Sequence, residues 1–505
     1  MSSANLWIPE ATNAESAACG LRDFFTYWNR SLAANRIDKM PPTLALILWL
    51  VLLLALLLFD PAKDPGTSWA LWVPVTWMFI LGSRLPSQWL GSSSIQSSAQ
   101  ALEEGNSLDR VVLSFLMLLA IGTLVLRRFN WGRFFRSNVA LFAFVLFGLV
   151  SVFWSDFALV SVKRWFRDLG NYLTILVVLS DPRPLEAVRA LLRRLCYLLI
   201  PLSILVIKYF PQIGKEYEFW SGASLFVGAA TSKNMLGAAC LVSGIFFFWD
   251  TVTRWRDRNE RRTRRIIRLN FAFITMTFWL LHLARSATST VCLVLGCVIL
   301  IAAHRKVSQR RPTFLKALIP AFFCLYLLLA FGCDMNGNLA AAVGRDPTLT
   351  DRTSIWTTVL SLRTNPLLGT GYESFWIGPR LQYVWSKVGS INEAHNGYLE
   401  MYLNLGLTGL ALLCVFLLSS YRKICRRLSL SSSLASLSLA LFAVMLFYNI
   451  TEAAFRSSLI WVAFLLFAIE VHEPAEDPGG ELAKRTNVDT VEPFPQSSFE
   501  MMRHR

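Results

Sequence analysis

One histidine and two arginines occupy positions from which they could carry out group-transfer chemistry. His395 lies just before a long apolar run, Arg285 lies between two apolar runs, and Arg352 opens an amphipathic stretch in a polar insert. An imidazole that is neutral near pH 7 can accept a proton, which makes His395 a candidate general base. Guanidinium groups stay charged and bind phosphate oxygens through paired hydrogen bonds, so the two arginines suit a substrate with a diphosphate.

Each of the three residues also has a purely structural interpretation. His395 can be a surface residue before a helix that Asn396 caps, and Arg285 can extend its charge to the membrane interface. Arg352 can be a surface charge where a helix starts. Considered alone, His395 and Arg352 favour this interpretation. All three residues fall at the same predicted surface of the protein, however, and this coincidence favours catalysis.

Hydrophobic residues make up 54% of the 505-residue chain, and its mean hydropathy is +0.46. Apolar runs of about 16 to 20 residues recur, which is the length that a helix needs to cross a bilayer. Unpaired backbone groups are not tolerated in lipid, so we predict an all-α, polytopic bundle of about 12 or 13 transmembrane helices. The predicted spans lie near 43–59, 67–82, 111–126, 138–154, 169–180, 195–210, 235–250, 269–283, 287–303, 315–332, 397–418, 434–450 and 456–470.

The formal net charge of +16 does not indicate a nucleic-acid partner, because the basic residues cluster between predicted spans. Alternate loops carry few charges, which is the asymmetry of membrane proteins whose basic loops face the cytoplasm. The ordinary partner of such clusters is the anionic surface of the membrane lipids. The clusters are Arg127, Arg128, Arg133 and Arg136; the eight arginines from Arg254 to Arg268; Arg305, Lys306, Arg310, Arg311 and Lys316; and Arg422, Lys423, Arg426 and Arg427.

Alternation from these clusters predicts which segments lie on the outer side of the membrane. These segments are 155–168, 211–234, 284–286, 333–396 and 451–456. The insert 333–396 is longer than most loops between spans, which indicates a function. The predicted parts are a polar N-terminal tail (1–42), a transmembrane bundle (43–332), an outer loop with short helices (333–396), C-terminal transmembrane helices (397–470) and a disordered cytoplasmic tail (471–505). The side of the N-terminus stays open, because its basic residues and the span count disagree.

The motifs of nucleotide and metal chemistry are absent from the sequence. There is no P-loop, no G-x-G-x-x-G after a strand, no G-x-S-x-G and no D-x-D pair that would hold a metal–nucleotide sugar. The nine cysteines lie mostly inside or at the ends of predicted spans, without the spacing of a metal site. We therefore predict no cofactor and no metal, and no direct role for ATP or nucleotide sugars.

From about residue 70 to 470, the chain resembles the O-antigen ligase/polymerase superfamily. Within that superfamily it is similar to the ExoQ-like exopolysaccharide production proteins. A His-Asn pair that follows Asn-Pro-Leu-x-Gly and precedes a span is fairly specific for the superfamily. The matching segments are SRLPSQWLG (83–91), IPLSILVIKYFP (200–211), TSKNMLGAACL (231–241), the Arg-Ser turn (285–286), GRDPTLTDRTSIW (344–356), NPLLGTGYESFW (365–376), EAHNGYLEMYLNLGLTG (393–409) and NITEAAFRS (449–457).

The resemblance implies a GT-C-type glycosyltransferase of the bacterial inner membrane that is metal-independent and inverting. Its donor would be a glycan on undecaprenyl diphosphate, presented at the periplasmic face, and its acceptor a glycan or a lipid. The polysaccharide flippase and the chain-length and export proteins are the further partners that it implies. The essential histidine of the family falls on His395, and the family arginines fall on Arg285 and Arg352.

Five further residues are assigned to substrate binding. Lys233 and Asn234 match a family segment, and Asn234 is equally a candidate N-cap of the following span. Lys208 and Lys215 flank the same outer loop, where they would meet lipid phosphates. Asn396 follows His395 in the family motif. We expect Glu452, by contrast, to form an ion pair with Arg456, four residues later.

Three classes of function remain open from the sequence. The first is an enzyme, either a polymerase of lipid-linked repeat units or a ligase that moves finished glycan to lipid A core or to protein. The resemblance to exopolysaccharide proteins favours the polymerase. The second class is a transporter, which the scarcity of acidic residues and of paired broken helices in the spans disfavours. The third, a scaffold for export partners, has no feature in its favour.

Overall fold

The computed structural model describes residues 40–63, 66–91, 105–217, 224–305, 352–429 and 433–471, together with 316–317, 319–325 and 328. The chain divides into two units, Met1–Leu52 and Leu53–Arg505. The predicted N-terminal tail up to residue 39, the insert from 333 to 351 and the tail after residue 471 lie outside the described residues.

Almost all of the described regular structure is helical. A single described antiparallel hairpin, β1 (Lys215–Tyr217) and β2 (Ser224–Phe226), pairs Lys215 with Phe226. The α-helices are α1 (Pro42–Phe59), α2 (Trp72–Gly82), α3 (Pro86–Trp89), α4 (Ser107–Leu126), α5 (Trp131–Ser137), α6 (Val139–Val150), α7 (Ala158–Leu179), α8 (Pro184–Tyr209), α9 (Pro211–Gly214), α10 (Lys233–Arg254), α11 (Arg261–Ala284), α12 (Ala287–His304), α13 (Arg352–Ser361), α14 (Gly378–Val388), α15 (Gly397–Ser429), α16 (Ser433–Thr451) and α17 (Leu459–Ala468).

Eight of the described helices are long and apolar enough to cross a membrane, and the bent pair α5 and α6 would make a ninth span. The prediction of a polytopic, helical membrane protein is confirmed. The predicted spans near 67–82 and 456–470 correspond to shorter apolar helices, Trp69–Gly82 and Leu459–Ala468. The span predicted near 169–180 is the second half of α7, whose first half carries charged residues and extends the helix.

Helix α10 lies at the centre of the bundle and packs against α8, α11, α12 and α17. Ser232 caps its N-terminus by accepting a hydrogen bond from the Met235 N–H at 3.2 Å. Gly237 allows α12 to come close, because a Cβ there would lie 2.6 Å from Ser289 Oγ. Small residues at helix contacts are the usual means of close packing in membranes. The outer helices, such as α4, instead leave large apolar side chains exposed, which suits contact with lipid.

The helix α15 bends at Gly406, whose φ of 65° is left-handed. The segment around Pro366 supplies the hydrogen-bonding partners that the bend removes: the Leu407 N–H donates to the Pro366 carbonyl at 2.9 Å, and the Gly371 N–H donates to the Asn404 carbonyl at 2.9 Å. A Cβ at Gly406 would lie 2.3 Å from the Leu367 carbonyl carbon. The NPLLGTG motif is therefore part of the fold, because its backbone completes a broken helix.

The sequence predicts that successive loops alternate between two opposite ends of the bundle. Loops that are predicted to lie at the same end contact one another in the structure. At one end, here called the His395 end, the Gly397 N–H donates to the Glu452 carbonyl at 3.0 Å, and Thr288 Oγ1 lies 2.7 Å from Thr451 Oγ1. At the other end, here called the basic end, Arg127 forms a 3.0 Å ion pair with Asp181. Successive helices thus run between the same two ends, as a membrane-spanning bundle requires.

The described part of the large insert folds as two short helices at the His395 end. Helices α13 and α14 pack on each other around buried residues that include Val359, Phe375 and Val384. Arg380 of α14 forms a 2.7 Å ion pair with Asp156, which precedes α7. This part of the insert therefore contains two short helices, and the predicted position of the whole insert outside the membrane stays a prediction.

Candidate active site

Glu452 is the centre of a polar cluster at the His395 end. It lies in the turn after α16 and is only 4% exposed. Its carboxylate accepts hydrogen bonds from Arg352 Nη2 at 2.9 Å and from Asn234 Nδ2 at 3.0 Å, and it lies 3.5 Å from His395 Nδ1. Four segments that are far apart in sequence therefore meet at one buried carboxylate.

A second carboxylate, Glu393, completes the surroundings of the histidine. One Glu393 oxygen lies 2.9 Å from His395 Nδ1, and the other accepts a hydrogen bond from Arg456 Nη2. The ring N–H at Nδ1 is aligned with neither neighbouring carboxylate, so these contacts are ion-pair contacts rather than well-formed hydrogen bonds. The opposite ring nitrogen, Nε2, makes no hydrogen bond with any described residue. We call Glu393, His395, Glu452, Arg352, Arg456 and Asn234 the His395 cluster.

His395 has a backbone conformation that few residues other than glycine adopt. Its φ is 49°, in the left-handed region. On one side, the Ala394 N–H donates to the Glu400 carboxylate at 3.0 Å, and Trp356 Nε1 donates to the Ala394 carbonyl at 2.8 Å. On the other side, Asn396 Oδ1 accepts from the N–H groups of two residues in the first turn of α15, at 3.0 Å each. Asn396 therefore has the capping role, and its assignment to substrate binding stays a prediction.

The two carboxylates decide the protonation state of His395. Burial favours the neutral ring, but Glu393 and Glu452 outweigh it and raise the pKa of His395 to about 9. For Glu393, burial opposes ionisation, yet Arg456 and His395 lower its pKa to about 2. Near neutral pH the site therefore holds an imidazolium between two carboxylates. The expectation of a neutral imidazole near pH 7 is wrong, because the sequence did not reveal either carboxylate as a neighbour.

The cluster also has the geometry of a candidate cation site. The ligand atoms of Glu393, His395 and Glu452 all lie within 4.8 Å of one another. Arg456 and Arg352, however, already donate to the two carboxylates. A metal ion would have to compete with these two fixed positive charges and with the proton on His395, so this donor set is poorly suited to a metal ion.

Arg285 lies at the same end of the bundle without joining the cluster. It ends α11 with a left-handed φ of 50°, and its side chain is exposed and forms no ion pair with a described residue. The Thr288–Thr451 hydrogen bond places the start of α12 beside the turn that carries Glu452. Of the three predicted catalytic residues, the structure thus brings Arg352 and His395 together on Glu452 and places Arg285 at the same rim.

Of the other predicted binding residues, Asn234 contacts Glu452 of the His395 cluster, and the three lysines make no described contact with that cluster. Ser232, and not Asn234, caps α10, because the Asn234 side chain is turned toward Glu452. Lys233 makes no ion pair with a described residue. Lys208 and Lys215 lie near the aromatic rings of Tyr209 and Phe226, at 5.4 Å and 5.3 Å, and neither makes a described contact with the His395 cluster. Their role toward a substrate stays a prediction.

The expected ion pair between Glu452 and Arg456 is wrong. Arg456 pairs with Glu393, while Glu452 pairs with Arg352. The cause is that α16 ends before this segment, at Thr451, so the spacing of four residues does not correspond to one helical turn. Glu393, Glu452 and Arg456 are therefore site residues that were not predicted from the sequence. Glu393 and Glu452 could have been predicted, because both occur in segments that carry the family resemblance.

Two comparisons with known proteins find similar sequences. Residues 269–414, which include Arg285, Arg352 and His395, match the family model described as O-Antigen ligase. The chain is also 28% identical over 328 residues to the Exopolysaccharide production protein ExoQ of Rhizobium meliloti (strain 1021), a match that covers 61% of this chain and 70% of that protein. The expected resemblance to O-antigen ligase-related and ExoQ-like proteins is confirmed by these two matches.

Proposed function

We propose that this protein polymerises glycan units carried on undecaprenyl diphosphate, at the periplasmic face of the bacterial inner membrane. The observation that supports this most directly is the His395 cluster at one end of a helical membrane bundle. Similarity to an exopolysaccharide production protein favours the polymerase. The family description, O-Antigen ligase, favours the second candidate, a ligase with a lipid or protein acceptor.

In the proposed reaction, a hydroxyl of the acceptor sugar attacks the anomeric carbon of the donor from the face opposite the diphosphate. The bond from that carbon to the diphosphate oxygen breaks, and its electron pair stays on the diphosphate. His395 Nε2 accepts the hydroxyl proton in its neutral form and later releases it to water. Glu393 and Glu452 stabilise the imidazolium that forms. The anomeric configuration inverts, because the reaction has one displacement.

The leaving diphosphate gains negative charge, which Arg352 and Arg285 stabilise. The structure gives Arg352 Nη2 a contact with Glu452, so the rest of its guanidinium fork is available to phosphate oxygens. Arg285 is exposed at the same rim. Fixed donors directed at developing charge are a large source of catalysis, and they serve here in place of a metal ion.

Transfer by reconstituted protein tests this proposal. We expect wild-type protein in vesicles to convert a diphosphate-linked repeat unit into a ladder of longer glycans, with EDTA present throughout. Arg352→Lys should lose at least about tenfold in rate, because a point charge cannot reproduce the paired hydrogen bonds of a guanidinium. Arg380→Lys, in a half-buried ion pair with Asp156 outside the His395 cluster, is the matched control and should keep its rate.

Three results would contradict the proposal. Loss of transfer in EDTA that Mg²⁺ or Mn²⁺ restores would overturn metal independence. Full activity of Arg352→Lys would show that charge alone matters at this position. A single transfer of preformed glycan to a lipid acceptor, without a ladder, would favour the ligase.

A further inference from the structure

A polar cavity lies at the basic end of the bundle, opposite the His395 cluster. Its volume is about 270 Å³, and residues of α8, α10, α11 and the segment after α1 line it. Six basic and four acidic side chains contribute to the lining. The cavity therefore carries an excess of positive charge at a place where the proposed glycan transfer requires none.

Most acidic groups of this cavity already have partners. Asp250 accepts hydrogen bonds from Arg193, from Arg254 at 2.9 Å and from Asn270 at 2.9 Å. Asp60 accepts from the Ala62 N–H at 2.8 Å. Glu260 accepts from Thr263 Oγ1 at 2.8 Å. These contacts also give Arg193 and Arg254 a shared partner in Asp250, and Arg193 Nε lies 3.9 Å from Asp60 as well.

Two arginines on successive turns of α8 have no such partner. Arg189 Nε and Arg194 Nη1 are buried without a hydrogen bond to any described residue. Neither side chain forms an ion pair with a described residue, and the remaining polar contact of Arg194 is a long hydrogen bond of 3.4 Å to Thr67. Each guanidinium instead lies 5.2 Å from an indole ring, Trp249 for Arg189 and Trp72 for Arg194.

A buried N–H group without an acceptor is costly, and an anion bound in the cavity would supply acceptors to Arg189 Nε and Arg194 Nη1. The two indole rings restrict each guanidinium, which leaves less side-chain entropy to lose on binding. The cavity is lined also by the apolar side chains of Leu56, Leu57 and Ile266. This combination suits a group with a phosphate and an adjoining hydrocarbon chain.

We propose that the cavity binds a phosphate group through Arg189 and Arg194. The shared chemistry is a phosphate oxyanion that accepts from both guanidinium groups. Two sources supply it at a membrane surface: the headgroup of an anionic phospholipid and a free phosphate. The apolar side of the cavity favours the lipid. The site is separate from the His395 cluster, so its test does not depend on the proposed transfer reaction.

Calorimetric titration of delipidated, full-length protein in neutral detergent tests this site. The titrants are short-chain phosphatidylglycerol, short-chain phosphatidylcholine and inorganic phosphate. We expect saturable binding of phosphatidylglycerol that weakens at least about tenfold in Arg189→Gln/Arg194→Gln. The control is Arg265→Gln/Arg268→Gln, which removes the same charge from exposed positions of α11 outside the cavity and should bind within about twofold of wild type.

The results show whether the site exists and which ligand it binds. Binding of inorganic phosphate as tightly as phosphatidylglycerol would support the site with free phosphate as its source, and selective binding of phosphatidylglycerol would support the lipid. Equal losses in the two double variants would overturn the site, because they would show a general attraction to positive charge. Absence of binding by both phosphate titrants in wild type would also overturn it. The single variants Arg189→Gln and Arg194→Gln, each expected to weaken binding, serve if the double variant does not fold.

Discussion

The behaviour of His395 follows from a competition between burial and charge. Removing an imidazole from water disfavours its protonated form, whereas nearby carboxylates favour it. With Glu393 at 2.9 Å and Glu452 at 3.5 Å, the carboxylates prevail and the pKa of His395 rises to about 9. A base of this strength accepts a hydroxyl proton more readily than an ordinary histidine, but only a small fraction of it is neutral near pH 7.

The first prediction is a pH dependence of glycan transfer. If neutral His395 is the base, the rate should rise about tenfold per pH unit below the pKa and level off above about 9. The measurement is the initial rate of transfer between about pH 6 and pH 10. His395→Gln should lose roughly 10²–10⁴ in rate and the pH dependence with it. A rate that falls over this range would instead make the imidazolium a cation that binds the diphosphate.

The second prediction concerns the effect of Glu452 on the pKa of His395. Glu452→Gln removes one of the two negative charges beside His395, so the pKa of His395 should fall and the rising part of the pH profile should move to lower pH. NMR titration of a labelled His395 ring measures the pKa directly. Asp156→Asn is the matched control, because Asp156 is exposed and pairs with Arg380 outside the His395 cluster. Equal shifts in both variants would show a long-range effect and argue against direct contact.

Helix geometry explains how these side chains reach one another. Helix α15 begins at Gly397, whose N–H donates to the Glu452 carbonyl at 3.0 Å. A Cβ at this position would lie 2.0 Å from Asn449 Oδ1. That oxygen is itself in use, because it accepts from the Ala454 N–H at 2.8 Å and shapes the turn. The start of α15 and the turn after α16 thus fit together only with glycine at 397.

The third prediction follows from that close approach. Gly397→Ala should push α15 away from the turn, separate His395 from Glu452, lower the thermal unfolding temperature and reduce transfer. Gly122→Ala, in α4, is the control, because a Cβ there meets nothing within 4 Å. It should be neutral or slightly stabilising, since alanine is favoured over glycine in helices by up to about 1 kcal/mol. An unchanged unfolding temperature in Gly397→Ala would mean that the turn adapts freely.

The two ends of the described helical bundle differ in their charges, as the two sides of a membrane protein do. The His395 end carries a cluster of charges that pair with one another, whereas the basic end carries the arginine-rich loops around α10 and α11. Basic loops are retained in the cytoplasm during insertion. We therefore infer that the His395 end faces the periplasm, where the proposed lipid-linked donor would be presented.

The fourth prediction tests this orientation by cysteine labelling. Ser390→Cys lies in an exposed loop of the insert at the His395 end, and Asn259→Cys lies in an exposed loop at the basic end. Neither change removes a basic residue. A membrane-impermeant maleimide on intact spheroplasts should label Ser390→Cys above the parent background and should label Asn259→Cys only after lysis. The reverse pattern would invert the orientation and exclude a periplasmic reaction.

Hydrophobic patterning and the placement of basic residues were sufficient to predict the class of fold. Long apolar runs can be satisfied in lipid only as helices, so the polytopic bundle followed from local composition. The span count was less certain, because α2 and α17 are shorter than a full membrane span. The candidate residues His395, Arg352 and Arg285 were also found from sequence, through their positions at the mouths of spans and through motif resemblance.

Only the tertiary structure decided which charges meet. Glu393, Glu452 and Arg456 are ordinary surface residues by local pattern, and their spacing suggested a pair that does not form. The partner of each is set by the turn after α16 and by the close approach of α15, contacts between segments that are distant in sequence. The protonation of His395 depends on those same contacts. Electrostatic interaction depends on distances of a few ångströms, and helix periodicity alone does not specify distances between helices.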